Sequence, residues 1–284
     1  MRKVFVSIMI MMTFCAAKAQ KVVYEKSDSI KVVTYLQEAA KLGKNENRMM
    51  FFAKKFLGVP YVGATLEKPI GEEQLVVNLR ELDCTTFVET VAALKIADQR
   101  NERTFAGFCK ALKQLRYRGG EINGYESRLH YFCMWTADNE KMGLVEDVLA
   151  KNPKECVTQT VAINYMTTYP EKYRQLKDNP ELTKKIKRYE DECNGKKLKY
   201  VPKAKFGYGY KRLSQIHTGD ILGIVTRKKG LDTTHLGIAV WQNGRLHLFN
   251  ASSVYKKVVL DSETLAKYSS KHSLQIGIRA IRVK

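Results

Sequence analysis

The 284-residue chain is short of cysteine, proline and tryptophan, with six, six and two, and short of acids, with 29 Asp and Glu against 49 Lys and Arg. Its one extended apolar stretch, Val4 to Ala17, falls short of the roughly 20 residues that a membrane-spanning helix needs. No later segment replaces it, so no transmembrane segment is expected. Internal repeats and low-complexity linkers are also missing, which excludes solenoids and arrays of small domains. The cysteines beyond the first, Cys84, Cys109, Cys133, Cys156 and Cys193, lie 25, 24, 23 and 37 residues apart. That spacing fits neither a metal site nor a dense disulfide scaffold, so no metal and no cofactor is expected.

The chain opens with Arg2 and Lys3, crosses its apolar stretch and reaches Ala17-Lys18-Ala19. A basic start, a short apolar core and a small-x-small site predict a cleavable secretory signal over residues 1–19. Phe14 before Cys15 is too bulky for lipoprotein processing, so signal cleavage is preferred to a lipid anchor. The protein is therefore expected to be exported, to the periplasm or cell envelope. The formal charge of +20 drops to +17 once Arg2, Lys3 and Lys18 are removed. Such a charge steers towards polyanions, and outside the cell those are wall polymers and anionic lipid surfaces. The densest basic run, Lys184 to Lys205, carries no nucleic-acid motif, so no nucleic-acid partner is expected. A merely solvated basic surface is the alternative. Five cysteines in an exported chain leave at least one thiol unpaired within the molecule.

Residues 20–284 read as one domain, α+β in class, with helices first and an antiparallel sheet last. Helices are predicted over Ser29 to Ala40, Asn47 to Leu57, Cys84 to Asp98 and Thr104 to Leu115, with a short strand over Gln74 to Leu79. The stretch from about 119 to 209 reads as an elaborating, mostly helical insertion. Strands follow over Asp220 to Thr226, His235 to Trp241, Arg245 to Asn250 and Gln275 to Val283. Asp261 is read as the cap of a short helix to Tyr268.

Leu82-Asp83-Cys84-Thr85-Thr86-Phe87-Val88-Glu89 is the most informative segment. Asp83 is a good N-cap, which puts Cys84 on the first helical turn, where the helix dipole is expected to lower a thiol's pKa. Cys84, Phe87, Val88 and Val91 follow helical spacing on one face, so the thiol is expected to meet a sheet. An ordinary buried core cysteine is the competing reading. The hairpin around Asn243-Gly244 bears on that choice. A two-residue turn there fixes a register in which paired residue numbers sum to 487. His235 then shares a face with Asn250, its diagonal neighbour within side-chain reach, while His247 falls on the other face. The pair has the form of a base and its orienting residue, and Cys84 is the nucleophile they would serve.

A helix-leading Cys, a strand bearing His-x-Gly-Ile and a strand ending Asn-Ala-Ser resemble the NlpC-type cell-wall cysteine peptidases of the papain-like superfamily. Gly58-Val59-Pro60-Tyr61-Val62-Gly63 and Gly219-Asp220-Ile221-Leu222 fit the same pattern. The resemblance implies a papain-like core with a helix-borne Cys packed on an antiparallel sheet. Two features depart from the compact members: Cys84 and His235 are 151 residues apart, and Asn250 stands where many relatives carry His. The long insertion, with Ser127-Arg128-Leu129-His130-Tyr131 and Trp135, resembles the branch of exported N-acetylmuramoyl-L-alanine amidases. That implies a peptidoglycan or muropeptide substrate; a monomer is expected. It places the Tyr61 phenol near the reacting carbonyl and makes Arg128, His130, Tyr131 and Trp135 substrate-binding candidates. A surface role for Arg128 and a core role for Trp135 are the alternatives. Three other functions use the same residues: a D-Glu-diaminopimelate endopeptidase, a thiol protease or transglutaminase, and a non-catalytic cationic wall-binding module.

Overall fold

The computed structural model describes residues 22–69, 71–150 and 153–284, and the expected signal peptide, residues 1–19, lies outside them. A short parallel pair joins β1 (Val22–Val23) to β2 (Leu75–Val76), with α1 (Lys26–Ala39) and α2 (Arg48–Lys54) between them. The central helix α3 (Cys84–Gln99) and α4 (Phe105–Arg116) follow. Local caps fix these starts: Asn47 accepts from the Met50 N–H, Asp83 from that of Thr86 and Thr104 from that of Gly107. Next come α5 (Phe132–Lys141), β3 (Val145–Asp147), β4 (Val157–Thr160), α6 (Tyr165–Thr168), α7 (Pro180–Cys193) and β5 (Lys197–Pro202). The chain ends with β6 (Ile221–Thr226), β7 (Thr233–Gln242), β8 (Arg245–Ser252), β9 (Lys257–Thr264), α8 (Leu265–Ser270) and β10 (Gln275–Val283).

The main sheet runs in the order β4-β5-β10-β6-β7-β8-β9, antiparallel throughout, with β3 also pairing β10. The final strand is thus internal to the sheet, and residues 119–209 supply three of its strands. Both faces are covered, which is why β6 is buried along its whole length. On one face Ile238, Phe249 and Val258 pack with Leu36, Phe52, Val91 and Phe108 of the helices. On the other, Leu222, Ile224, Ala239 and Leu248 pack beneath Phe206, Leu213 and Leu265. Each of the larger apolar side chains buried there contributes about 1.5–3 kcal/mol.

Helix α3 departs from the single buried face that its spacing predicts. Every residue from Thr86 to Asp98 except Lys95 is buried, because helices and sheet surround it. Strand β9 also overrides the local helix signal at Asp261. Pairing of Thr264 with His247 extends the strand, so α8 starts later and takes Thr264 as its cap.

Candidate functional site

Three elements build the site: the start of α3, the start of β7 with its preceding loop, and the chain entering α5. The capping box at Asp83 and Thr86 sets where α3 begins, which fixes Cys84 at the first helical residue. Phe87, one turn on, stacks on Phe249 of β8 at 5.8 Å and meets Phe56 edge-on at 6.2 Å. These contacts seat the N-terminus of α3 against the sheet. The Asn243-Gly244 turn has both residues at positive φ, and the hairpin register runs from Gln242 opposite Arg245 to Ile238 opposite Phe249. That register brings His235 Nε2 to 2.9 Å from Asn250 Oδ1. The ladder between β6 and β7 shifts at Thr234, and such a bulge re-aims the side chain beside it. His247 is buried apart from this pair, with Nδ1 3.1 Å from the Asp261 carbonyl oxygen.

Cys84 and His235 line one cleft of about 150 Å³, together with Val88, Glu89, His130 and Trp135. A cleft that small takes one compact group, since whole ligands fill several hundred cubic ångströms. The Leu236 backbone, one residue after His235, acts on the Cys84 sulfur to lower its pKa. Asn250 Oδ1 accepts the proton of His235 Nε2, which leaves the Nδ1 lone pair available to take a proton.

The electrostatics reverse one expectation. Burial and the neighbouring Asp83 carboxylate push the Cys84 thiol up to about 11, against opposing hydrogen bonds from Leu236 and Thr85. A helix dipole contributes about 0.3–1 kcal/mol, less than one pKa unit, whereas burial shifts a pKa by several. Desolvation therefore wins. His235 is lowered by burial, offset in part by the hydrogen bond to Asn250 and by Asp83. The resting pair is a neutral thiol and a neutral imidazole.

The other expected residues divide. Tyr61 is half-buried, and its phenol is raised by burial and then by the charges of Cys84 and Asp83, which places it in their field. His130, Tyr131 and Trp135 line the cleft. His130 Nε2 donates to the Tyr125 carbonyl oxygen at 2.9 Å, and burial and Arg128 drive its pKa down to about 3. The Tyr131 hydroxyl donates to Glu190 at 2.6 Å and accepts from the Met166 N–H, so it is committed within the protein. Trp135 stacks on Phe132 at 5.9 Å, and its buried indole N–H has no hydrogen-bond partner. Arg128 differs from expectation. It is 8% exposed, its guanidinium is bound by Glu73 and Glu67, and it does not line the cleft with Cys84. Its forked donors are spent inside the fold.

Two acids at this site escaped the sequence reading. Buried Glu89 lines the cleft and accepts from Arg116 Nε at 2.7 Å. Asp232 accepts the Cys133 N–H at 2.7 Å and faces Arg279, tying the entry of α5 to the strand that carries His235. Only their positions five residues after Cys84 and three before His235 mark them. Among the described residues, no group of three or more His, Cys, Asp or Glu is placed to hold a metal ion. Nor is any described helix long and apolar enough to cross a membrane.

A family model described as AmiA-like, N-acetylmuramoyl-L-alanine amidase-like, matches residues 51–278. An N-acetylmuramoyl-L-alanine amidase structure from Bacteroides uniformis is 38% identical, covers 85% of this chain and 100% of its own, and superposes with a TM-score of 0.80. A Bacteroides fragilis protein that carries a provisional xylanase name is 37% identical over 82% of this chain and 99% of its own, with a TM-score of 0.77. A Legionella pneumophila protein, 24% identical over 90% of this chain and 94% of its own, shares the fold with a TM-score of 0.70. No curated protein matches the chain.

Proposed function

The chain belongs to the AmiA-like, N-acetylmuramoyl-L-alanine amidase-like family, and on that footing we propose that it is an exported cysteine amidase of the cell envelope. Its reaction is hydrolysis of the amide between muramic acid and L-Ala in peptidoglycan or its fragments, on a papain-like core of the NlpC type. The observation that carries this reading is the hydrogen bond between His235 Nε2 and Asn250 Oδ1, with His235 and Cys84 lining one cleft.

Because thiol and imidazole both rest neutral, the thiolate forms as substrate enters. His235 Nδ1 takes the Cys84 proton while the sulfur attacks the lactyl carbonyl, and Asn250 holds the imidazole in the tautomer that allows this. The Cys84 backbone N–H, at the start of α3, faces the developing oxyanion, with the Tyr61 phenol as a second donor. His235 then gives its proton to the departing L-Ala amine, and afterwards activates the water that frees the acyl product.

Products from a defined disaccharide-tetrapeptide, read by mass spectrometry, test the reading. A disaccharide and an intact tetrapeptide are expected, and Cys84→Ala protein should release neither. A disaccharide that keeps L-Ala-D-Glu would instead make the enzyme a D-Glu-diaminopimelate endopeptidase. Binding to wall material without cleavage would make it a wall-binding module.

A further inference from the structure

A second cleft, of about 390 Å³, meets the one holding Cys84 and His235 at Leu231, which lines both. Arg227, Lys228 and Lys229 line it, and no acid does. In a larger cleft around Arg48 and Arg282, those two cations are already matched by Asp98 and Asp220. Here, by contrast, none of the three cations has a carboxylate partner among the described residues. Lys228 sits over the Tyr165 ring at 4.7 Å, and among the described residues the side chains of Arg227 and Lys229 make no hydrogen bond or ion pair. The loop that carries them is preorganised. Its ends are joined by the Thr226 N–H to the Asp232 carbonyl oxygen at 3.3 Å, and the Gly230 carbonyl oxygen accepts from the Asn164 and Tyr165 N–H groups. Gly230 has φ +79°, and a Cβ there would lie 2.6 Å from Asn164 Oδ1, so only glycine lets the loop lie this close.

The direction of the reaction says which part of the substrate lies here. His235 must protonate the leaving amine, so the leaving peptide lies on the His235 side of the sulfur. The loop from Leu231 to Thr234 leads from that side into the cationic cleft. The stem peptide beyond L-Ala carries free carboxylates and spans about 3.3–3.6 Å per residue when extended. We propose that the Arg227–Lys229 cleft binds the carboxylates of the leaving stem peptide and makes the protein selective for acidic over amidated stems. This rests on the amidase reading of the same site.

The test uses Cys84→Ala protein, which does not consume its ligand, and calorimetric titration with L-Ala-D-Glu-diaminopimelate tripeptide or its carboxamide form. Replacing both Arg227 and Lys229 by Gln should weaken binding of the acidic peptide about tenfold, as two exposed charge contacts of ordinary strength would. Binding of the amidated peptide should not change. In protein that keeps Cys84, the same pair of changes should lower kcat/KM about tenfold on acidic muramoyl stems and leave muramoyl-L-Ala cleavage intact. Equal loss with both peptides, undiminished binding of the acidic peptide, or no binding of it by the parent would overturn the cleft assignment. Selective binding in a protein that cleaves no muramoyl peptide would uphold the cleft and sink the amidase reading.

Discussion

His235 Nε2 and Asn250 Oδ1 lie 2.9 Å apart across a hairpin whose two-residue turn separates them by 15 positions. The contact raises the His235 pKa against the burial that lowers it. Asn250→Ala removes that support and frees the ring to rotate. The rate should fall roughly tenfold to hundredfold, within the range that a positioned acid-base group supplies. The acid limb of the pH–rate profile should also move to lower pH, because the cause that raised the imidazole pKa is gone. Asn250→Asp should move it to higher pH. A variant with unchanged rate and profile would remove Asn250 from the mechanism.

The Cys84 thiol, pushed up to about 11, predicts how it reacts with iodoacetamide. Alkylation at Cys84, followed by peptide mass spectrometry, should climb about tenfold per pH unit from 7 to 10, as the thiolate fraction does. A plateau already reached near pH 6 would reveal a resting thiolate-imidazolium pair and overturn the neutral ground state.

How far the sequence reaches is clearest at these same residues. Asn243-Gly244 and Asp83 act over one turn of chain, so the hairpin register and the start of α3 could be read from local chemistry. The thiol's pKa could not, because the burial that sets it comes from a sheet more than 130 residues away in the chain. Arg128 failed for the same reason: its partners Glu73 and Glu67 are 55 and 61 residues off, and nothing local announces them. Strand β5 offers only the short alternation Lys197-Leu198-Lys199-Tyr200 before Pro202, too brief to mark it, and it forms because β4 and β10 flank it.

Arg128 therefore yields a stability prediction. With Glu73 7% exposed and bound by both Arg128 and the Tyr117 hydroxyl, Arg128→Met strands a buried carboxylate. Urea denaturation should show a loss of about 3–5 kcal/mol, and adding Glu73→Gln should recover part of it. An unchanged midpoint together with a raised KM for acidic stems would return Arg128 to the substrate site.

Trp135 has an indole N–H that is buried and unpaired, beside the cleft. Trp135→Phe keeps the stack on Phe132, and removing a desolvated donor offsets part of the packing lost with the smaller ring, so stability should fall only modestly. If the donor meets a substrate oxygen, KM should increase about tenfold, the net worth of one well-made hydrogen bond, with kcat little changed. An unaltered KM would leave Trp135 as a packing residue only.

The two depressed histidines give a pH dependence of stability whose sign can be worked out. His130 falls to about 3 on folding, and His235 is lowered too, from an ordinary value of 6.5. Below pH 6.5 the unfolded chain binds these protons and the folded chain does not. Stability from both groups is thus present above pH 6.5 and is lost as the pH drops through it, continuing for His130 towards 3. One such group costs about 1.4 kcal/mol per pH unit. Carboxylates titrate over the same range, so the informative quantity is the difference between wild type and His130→Gln. On going from pH 7 to 4.5 in urea titrations, the variant should lose about 2–3 kcal/mol less than wild type. Equal losses would mean that the imidazole of His130 stays accessible to protons in the folded state.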